Sequence, residues 1–404
     1  MNEKSIVYWA PPNEFFSMHN DVKIMSTNNL VKTRLILDKI LDNIYSGDKV
    51  AIKVHVGEAY NTRYLRHDYI HEVVKAVKSK GGIPTLIETQ GLGLTHREMQ
   101  IHENYSICLE HRKNAIDHLE IAHDHGYTES IVGAPLQFID GENGLNGKFI
   151  EIDGLQFKKV SVGKDLYNFD KLVVVSHFKG HPQATFGGAL KQMGIGCVSK
   201  RNKHLAHYNT VLSINSRKCN ISNCNQDCIE ACPVNAIEIK GESAYIDSST
   251  CFGCFACTKK CPVKRAIKKP KVNNIEDFIE RVIDNAYAVI TSFGSENMHF
   301  INFAFEVVLL CDCISNPNMA IVPDLGIFGS SDPVALDKAC IDAEINAPGL
   351  PIFKEGKWTE PLPPGVEKFK AMSILGGMMD ANLQFDAAVR NKIGSTNYEL
   401  VKIF

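Results

Sequence analysis

The 404-residue chain is 44% apolar and 22% charged, an ordinary globular composition with material for two or three domains. Its 44 basic residues against 46 acidic ones leave a net charge of −2, so no overall basic field draws the protein to nucleic acid or to an anionic membrane. The early apolar run SIVYWA is broken by Pro11, too short for a signal-peptide core, and INFAFEVVLL at 301–310 falls well short of the ~20 residues that span a bilayer; a cytoplasmic protein is expected.

Leu30, Leu37, Leu41 and Ile44 recur at helical spacing before Gly47, and the β-branched run KVAIKVHVG (49–57) predicts a strand. Ile70, Val73, Val74 and Val77 predict a second helix ending before Gly81, followed by strands at IPTLIET (83–89) and KLVVVSHF (171–178). Such runs suit buried, parallel strands. Beyond residue 270 the alternation resumes with AYAVITS, INFAFEVVLL and NMAIVPDLGIF. A helix then begins at DPVALDKACIDAEI, where Asp332 can cap and Pro333 fits the first turn. The stretch 351–366, rich in Pro, Gly and Lys, predicts surface loop. The fold class is therefore α/β with two lobes: 1–212 and 271–404 are its two parts, and a ferredoxin-like α+β module at 213–270 interrupts them.

That module is defined by cysteine. Thirteen cysteines in a reducing compartment point to metal more than to disulfides, and eight of them lie between Cys219 and Cys261. Cys251, Cys254, Cys257 and Cys261-Pro262 have the C-x2-C-x2-C-x3-C-P spacing of bacterial ferredoxins. Cys219, Cys224, Cys228 and Cys232-Pro233 repeat it with wider gaps. Crossed ligation assigns Cys219, Cys224, Cys228 and Cys261 to one [4Fe–4S] cluster, and Cys251, Cys254, Cys257 and Cys232 to another. Structural zinc, the competing four-thiolate site, does not need the repeated Cys-Pro. Lys259, Lys260, Lys264, Arg265, Lys268, Lys269 and Lys271 form a basic run beside these ligands. Such a run is either a solvated face or a landing site for an acidic electron donor such as ferredoxin or flavodoxin.

Three other segments carry reactive side chains at predicted strand ends, where open α/β sheets collect their functional groups. HVGE places His55 and Glu58 after one strand, HFKGHP places His177, Lys179 and His181 after another, and Cys311 and Cys313 follow a third. FGGALKQMGIG adds Gly187, Gly188 and Lys191, with glycines that permit close backbone approach. Histidine and desolvated lysine can serve as acid, base or ligand near neutrality. One shared crevice is expected, and the CDC pair could add thiolates to it or hold a further metal.

These segments resemble the domain-of-unknown-function family 362, whose members often carry a ferredoxin-type insert. The resemblance rests on His55, Gly57, Glu58 and Asn61; on His177, Lys179, His181, Gly187, Gly188, Lys191 and Gly196; and on Cys311, Cys313, Asp324, Asp332 and Asp337. Asn61, His177, Lys179, Gly187 and Gly188 are the candidate cofactor contacts, although the family itself implies no reaction. A more distant resemblance, to the nickel-pincer lactate racemases, runs through His181, Gly187, Gly188, Lys191 and His207. It implies that Lys191 holds a pincer cofactor, His207 ligates nickel and His181 handles the substrate proton. Racemization needs no electron supply, so the insert argues against that chemistry as a whole. The expectation is a ferredoxin-dependent oxidoreductase passing electrons to a small-molecule or metal site in the crevice; the rivals are an electron-transfer or cluster-carrying subunit without its own substrate and a metal-pincer isomerase.

Overall fold

The computed structural model describes residues 4–13, 28–93, 97–102, 105–208, 212–268, 274–373 and 380–403. Its frame is an eight-stranded sheet built from β1 (Ser5–Ala10), β2 (Lys49–Lys53), β3 (Ile83–Glu88), β4 (Leu136–Phe138), β5 (Lys171–His177), β6 (Met298–Ala304), β7 (Gly326–Ser330) and β8 (Tyr398–Lys402). Their order across the sheet is β8-β1-β7-β6-β5-β2-β3-β4. The pairs β6/β5, β5/β2, β2/β3, β3/β4 and β1/β8 are parallel, and only β7 runs against its neighbours. The segments before and after the cysteine block therefore contribute to one sheet.

Helices cover both faces. α1 (Asn29–Ile40) and α2 (His67–Ser79) lie on one side; α3 (Ala189–Gly194), α5 (Ile275–Phe293) and α6 (Pro333–Asn346) lie on the other, while α4 (Lys200–Tyr208) leads toward the cysteine block. Val173 and Val175 of β5 join Ile36, Val73 and Val74 in one core, while Leu172 and Val174 join Leu190, Val282 and Val334 in the other. This alternation explains why β5 reads as an unbroken apolar run: a strand covered on both faces has no solvent side. Asn28 caps α1 by accepting from the Leu30 and Val31 amides, and Asp332 does the same for α6 through Val334 and Ala335.

One expectation is corrected. AYAVITS does not continue the strands; it is the last part of α5, whose buried Phe278, Ile279, Val282, Ile283, Ala286, Val289 and Ile290 keep helical spacing over the whole element. Read from Ala286 onward the period is hidden by the β-branched residues. The stretch 351–366 is largely exposed and holds a short hairpin, Phe353–Lys354 with Lys357–Trp358.

The cysteine block forms a unit with its own small core of Leu212, Ile237, Ala244, Ile246, Cys257 and Ile267. Its two ends pair with each other, Ser213 opposite Lys268 and Ile214 opposite Ile267. It leaves the sheet after β5 and returns to it before β6, the adjacent strand. None of the described helices is long and apolar enough to cross a membrane.

Candidate functional site

The eight block cysteines sort into two groups. Cys219, Cys224, Cys228 and Cys261 line one small cavity, and Cys232, Cys251, Cys254 and Cys257 line a second. Backbone amides already point at the sulfurs, Ala236 N–H to Cys232 Sγ at 3.2 Å and Ala244 N–H to Cys219 Sγ at 3.4 Å. Leu212, Val234, Ile237, Ile246 and Phe252 wall the second cavity. Four thiols around an apolar hollow, with amide donors on the sulfurs, is a donor set that fits an iron–sulfur cluster at each position. Lys259, Lys260, Lys264, Arg265 and Lys268 are all exposed and flank Cys261 of the first group; Lys269 and Lys271 lie outside the described residues.

The crevice lies where the parallel strands end. β2 delivers Lys53 and His55, β3 delivers Glu88 and Thr89, β5 delivers Ser176 and His177, and the chain after β6 brings Cys311 to Cys313. A cavity of about 230 Å³ is lined by His55, Glu58, His177, Lys179, His181, Gly187, Gly188, Lys191, Gly196, His207, Cys311 and Cys313 from the expected set. Asn61 is not among them. Its side chain donates to the Ile314 carbonyl at 2.8 Å and accepts from the Arg63 amide at 2.8 Å, bracing the CDC loop from behind. Asp337 acts at a distance too: it accepts from the Ala189 and Leu190 amides at 2.8 and 2.9 Å, fixing the start of α3 and hence Lys191. A Cβ on Gly188 would overlap that carboxylate, so glycine is required by close approach.

Buried ion pairs hold the walls. Glu88 joins Lys53 Nζ at 2.7 Å and His55 Nδ1 at 3.1 Å. Burial pushes its carboxyl up, but Lys53 and His55 bring it well below the usual carboxylate range. Asp312 joins His177 Nδ1 at 3.0 Å and Lys179 Nζ at 2.9 Å, and against the cost of burial these two partners lower it to about 2. Arg112 closes on Glu58 at 3.0 Å. Burial and Lys191 depress His181 to about 4, and burial depresses His207 to about 3, so both rings are neutral at physiological pH. Lys203 is pushed down to about 8 by burial. The hydroxyl of Ser176 lines the cavity with no partner among the described residues.

Helix α4 connects the two regions. Lys203 and His207 line the crevice, while Arg201 donates to the Thr250 and Ser249 carbonyls at 2.7 and 2.8 Å on the block side. The His204 ring packs edge-on against Phe252, centroids 5.4 Å apart, and bonds the carbonyl of Leu92, a crevice residue, at 3.0 Å. The second cysteine group is therefore the one that faces the crevice.

Sequence reasoning did not single out Lys53, Glu88, Arg112, Ser176, Lys203 or Asp312. Position at a strand's end was the signal that could have found Lys53, Glu88 and Ser176, and a place between two cysteines the signal for Asp312; nothing local marked Arg112 or Lys203.

A family model described as Domain of unknown function (DUF362) matches residues 50–342. The chain belongs to that family. A 56-residue stretch, 14% of this DUF362 chain, is 41% identical to a ferredoxin of Alicyclobacillus acidocaldarius subsp. acidocaldarius and covers 72% of it, so part of the chain is homologous to ferredoxin. Among solved structures the chain has a likeness to the lactate racemase apoprotein from Thermoanaerobacterium thermosaccharolyticum, at 14% identity and a TM-score of 0.38 over 85% of this chain and 58% of that one. A Thermotoga maritima protein matches at 12% identity and a TM-score of 0.32 over 68% of this chain and 50% of its own. The chain thus spans only about half the length of these two structures.

Proposed function

We propose that this protein is a cytoplasmic iron–sulfur oxidoreductase in which two [4Fe–4S] clusters in the insert supply low-potential electrons to a small molecule bound in the crevice. The observation that carries the reading is α4, which touches the second cysteine group on one side and lines the crevice on the other. A carrier that only docked partners would not need a buried, ion-paired cavity at the strand ends. When bound, the clusters supply single electrons at potentials set by their surroundings. The protein's own part is to exclude water, hold Lys191 and Lys203 beside the bound molecule, and keep His181 and His207 neutral. The exposed basic run beside Cys261 suits an acidic ferredoxin or flavodoxin as donor, which puts electron entry at the first group and exit at the second.

Anaerobic purification followed by iron and sulfide analysis tests the reading: about eight of each are expected for two four-iron clusters. Reduction by a ferredoxin should then bleach both. A preparation holding four irons, or one whose clusters a ferredoxin cannot reduce, would sink it.

A second reading, a metal-pincer isomerase, is favoured by one observation: His181, Gly187, Gly188, Lys191 and His207 all line the same cavity. Extraction of a non-iron metal with an organic cofactor from the purified protein would select it.

A further inference from the structure

Several features take no part in the proposed electron path. The groove beside the exposed hairpin, between Met319, Leu350 and Phe353, has no buried polar side chain to fix a ligand, and the buried Glu344–Lys368 pair only ties a loop to α6. The CDC pair is different in kind.

We infer that Cys311 and Cys313 form a thiol–disulfide redox couple in the wall of the crevice, which accepts two electrons and passes them to a small disulfide. The two sulfurs and the nearest imidazole nitrogen of His181 lie within 4.8 Å of one another. Five donors converge on Cys311. The Lys191 ammonium is 3.8 Å from its Sγ, the Cys313 amide is at 3.4 Å, and the Cys313 thiol and the His181 and His55 rings also hydrogen-bond to it. Charge on this sulfur is thus stabilised before any substrate arrives. In keeping with that geometry, the hydrogen bond from Cys313, with Lys191 and His181, holds Cys311 well below the ordinary thiol range despite burial, and the same bond keeps Cys313 protonated.

The same contacts argue against a bound metal ion. His181 Nδ1 accepts the Gln183 and Ala184 amides at 3.2 and 2.9 Å, so the neutral ring carries its proton on Nε2 and meets the sulfur as a donor, with no lone pair to offer there. A further cation would also sit beside Lys191, with Lys179 and Arg112 close by. A thiolate with a thiol two residues away and the Lys191 ammonium beside it is instead the arrangement of a nucleophile with its resolving partner.

The chemistry balances. The Cys311 thiolate attacks one sulfur of a substrate R–S–S–R, forming a mixed disulfide and releasing RS⁻. Cys313 then loses its proton to RS⁻ and displaces the second RS⁻, closing the Cys311–Cys313 bond. Two electrons, taken one at a time from a low-potential iron–sulfur donor, and one proton break that bond and restore thiolate and thiol; this last half rests on the electron delivery proposed above. Cys311 is only 2% exposed and Cys313 half-buried, so the partner is a small molecule and not a disulfide on a protein surface.

The test uses the cluster-loaded chain under anaerobic conditions with bis(2-hydroxyethyl) disulfide as probe, followed by alkylation and mass spectrometry of the peptide holding both residues. The parent should lose both alkylation tags and become lighter by two hydrogens, and reduced ferredoxin should restore both tags. Cys313→Ser should instead trap the half-probe on Cys311, with its cluster spectrum unchanged. Two freely alkylated thiols after probe treatment, no adduct in Cys313→Ser, or a stoichiometric metal ion on both sulfurs would each overturn the couple. Clusters that load and reduce while the internal disulfide persists would overturn its electron supply. Failure of the clusters to load or reduce would count against the proposed function, and the exchange and trapping results would still decide the couple by themselves.

Discussion

The cysteine insert and the crevice are both candidate sites, and they are built in opposite ways. The insert draws its eight cysteines from residues 219–261, a local stretch with a small core of its own. The crevice gathers Lys53, His55, Glu88, Arg112, His177, Lys191 and Cys311 from across most of the chain, positioned by strand ends, by buried ion pairs and, for Lys191, by the Asp337 anchor of α3. Clusters would hold one site; the fold holds the other. A module whose apolar core is this small needs its bound groups to stay ordered, whereas the crevice keeps its shape because two full cores stand behind it.

The largest effect that would sharpen the contrast is loss of a cluster. Cys254→Ser should lower the iron content from about eight to about four and stop electrons reaching the crevice, while the circular dichroism and main thermal transition of the sheet stay close to those of the parent. Collapse of the whole protein in this variant would break the comparison, since the insert would then be part of one cooperative unit.

The converse variants are His181→Ala and Lys191→Ala. Both should cut turnover by about 10²-fold or more, as expected for groups acting directly on the reactants, without altering iron content or the visible spectrum. Ordinary turnover in both would return these residues to a structural role.

A third variant tests whether the crevice depends on the fold. Gly188→Ala forces a methyl group into the Asp337 carboxylate, which is buried and raised to about 6 by that burial. Displacing the carboxylate from the α3 amides should destabilise the α/β part by about 2–3 kcal/mol, read as a lower unfolding midpoint with the cluster spectrum intact. An unchanged midpoint would show that α3 is fixed in some other way.

The smallest expected effect is at the surface of the insert. Reversing Lys264, Arg265 and Lys268 to Glu should slow reduction by an acidic ferredoxin roughly tenfold at low salt and flatten its ionic-strength dependence, because such attraction is screened over about 8 Å at physiological salt. Reduction by dithionite should not change. A parent protein whose ferredoxin kinetics ignore salt would move electron entry elsewhere.

The two designs also explain what could be read in advance. Ligand spacing is a local property, so the grouping of Cys232 with Cys251 and of Cys261 with Cys219 could be proposed from the repeat alone. The α/β class was legible for a related reason: strands such as β5, buried on both sides, leave an unbroken apolar run. The partners of the crevice were not legible. Nothing near Glu88 in the sequence announces Lys53, and nothing near Asp312 announces His177; these pairs exist only because β2 lies beside β3 and β5 beside β6. Asn61, a polar residue beside a reactive motif, braces a loop and does not line the cavity. AYAVITS shows the limit of short windows, because a few residues from the end of a long helix carry too little of its period.

The position of β1 has a bearing on how the chain is made. Its neighbours are β7 and β8, from residues 326–330 and 398–402. As the polypeptide leaves the ribosome, β1 must therefore wait for segments made more than 300 residues later. β2, β3, β4 and β5 can pair early, but β6 arrives only after the insert has been made, and β1 finds both of its places only once residues 398–402 have emerged. At about 5–20 residues per second that delay amounts to tens of seconds, during which SIVYWA is an unpaired apolar segment. The Pro11-Pro12 pair directly after it cannot donate to a foreign strand, and so limits how far a stray partner could extend along this early edge.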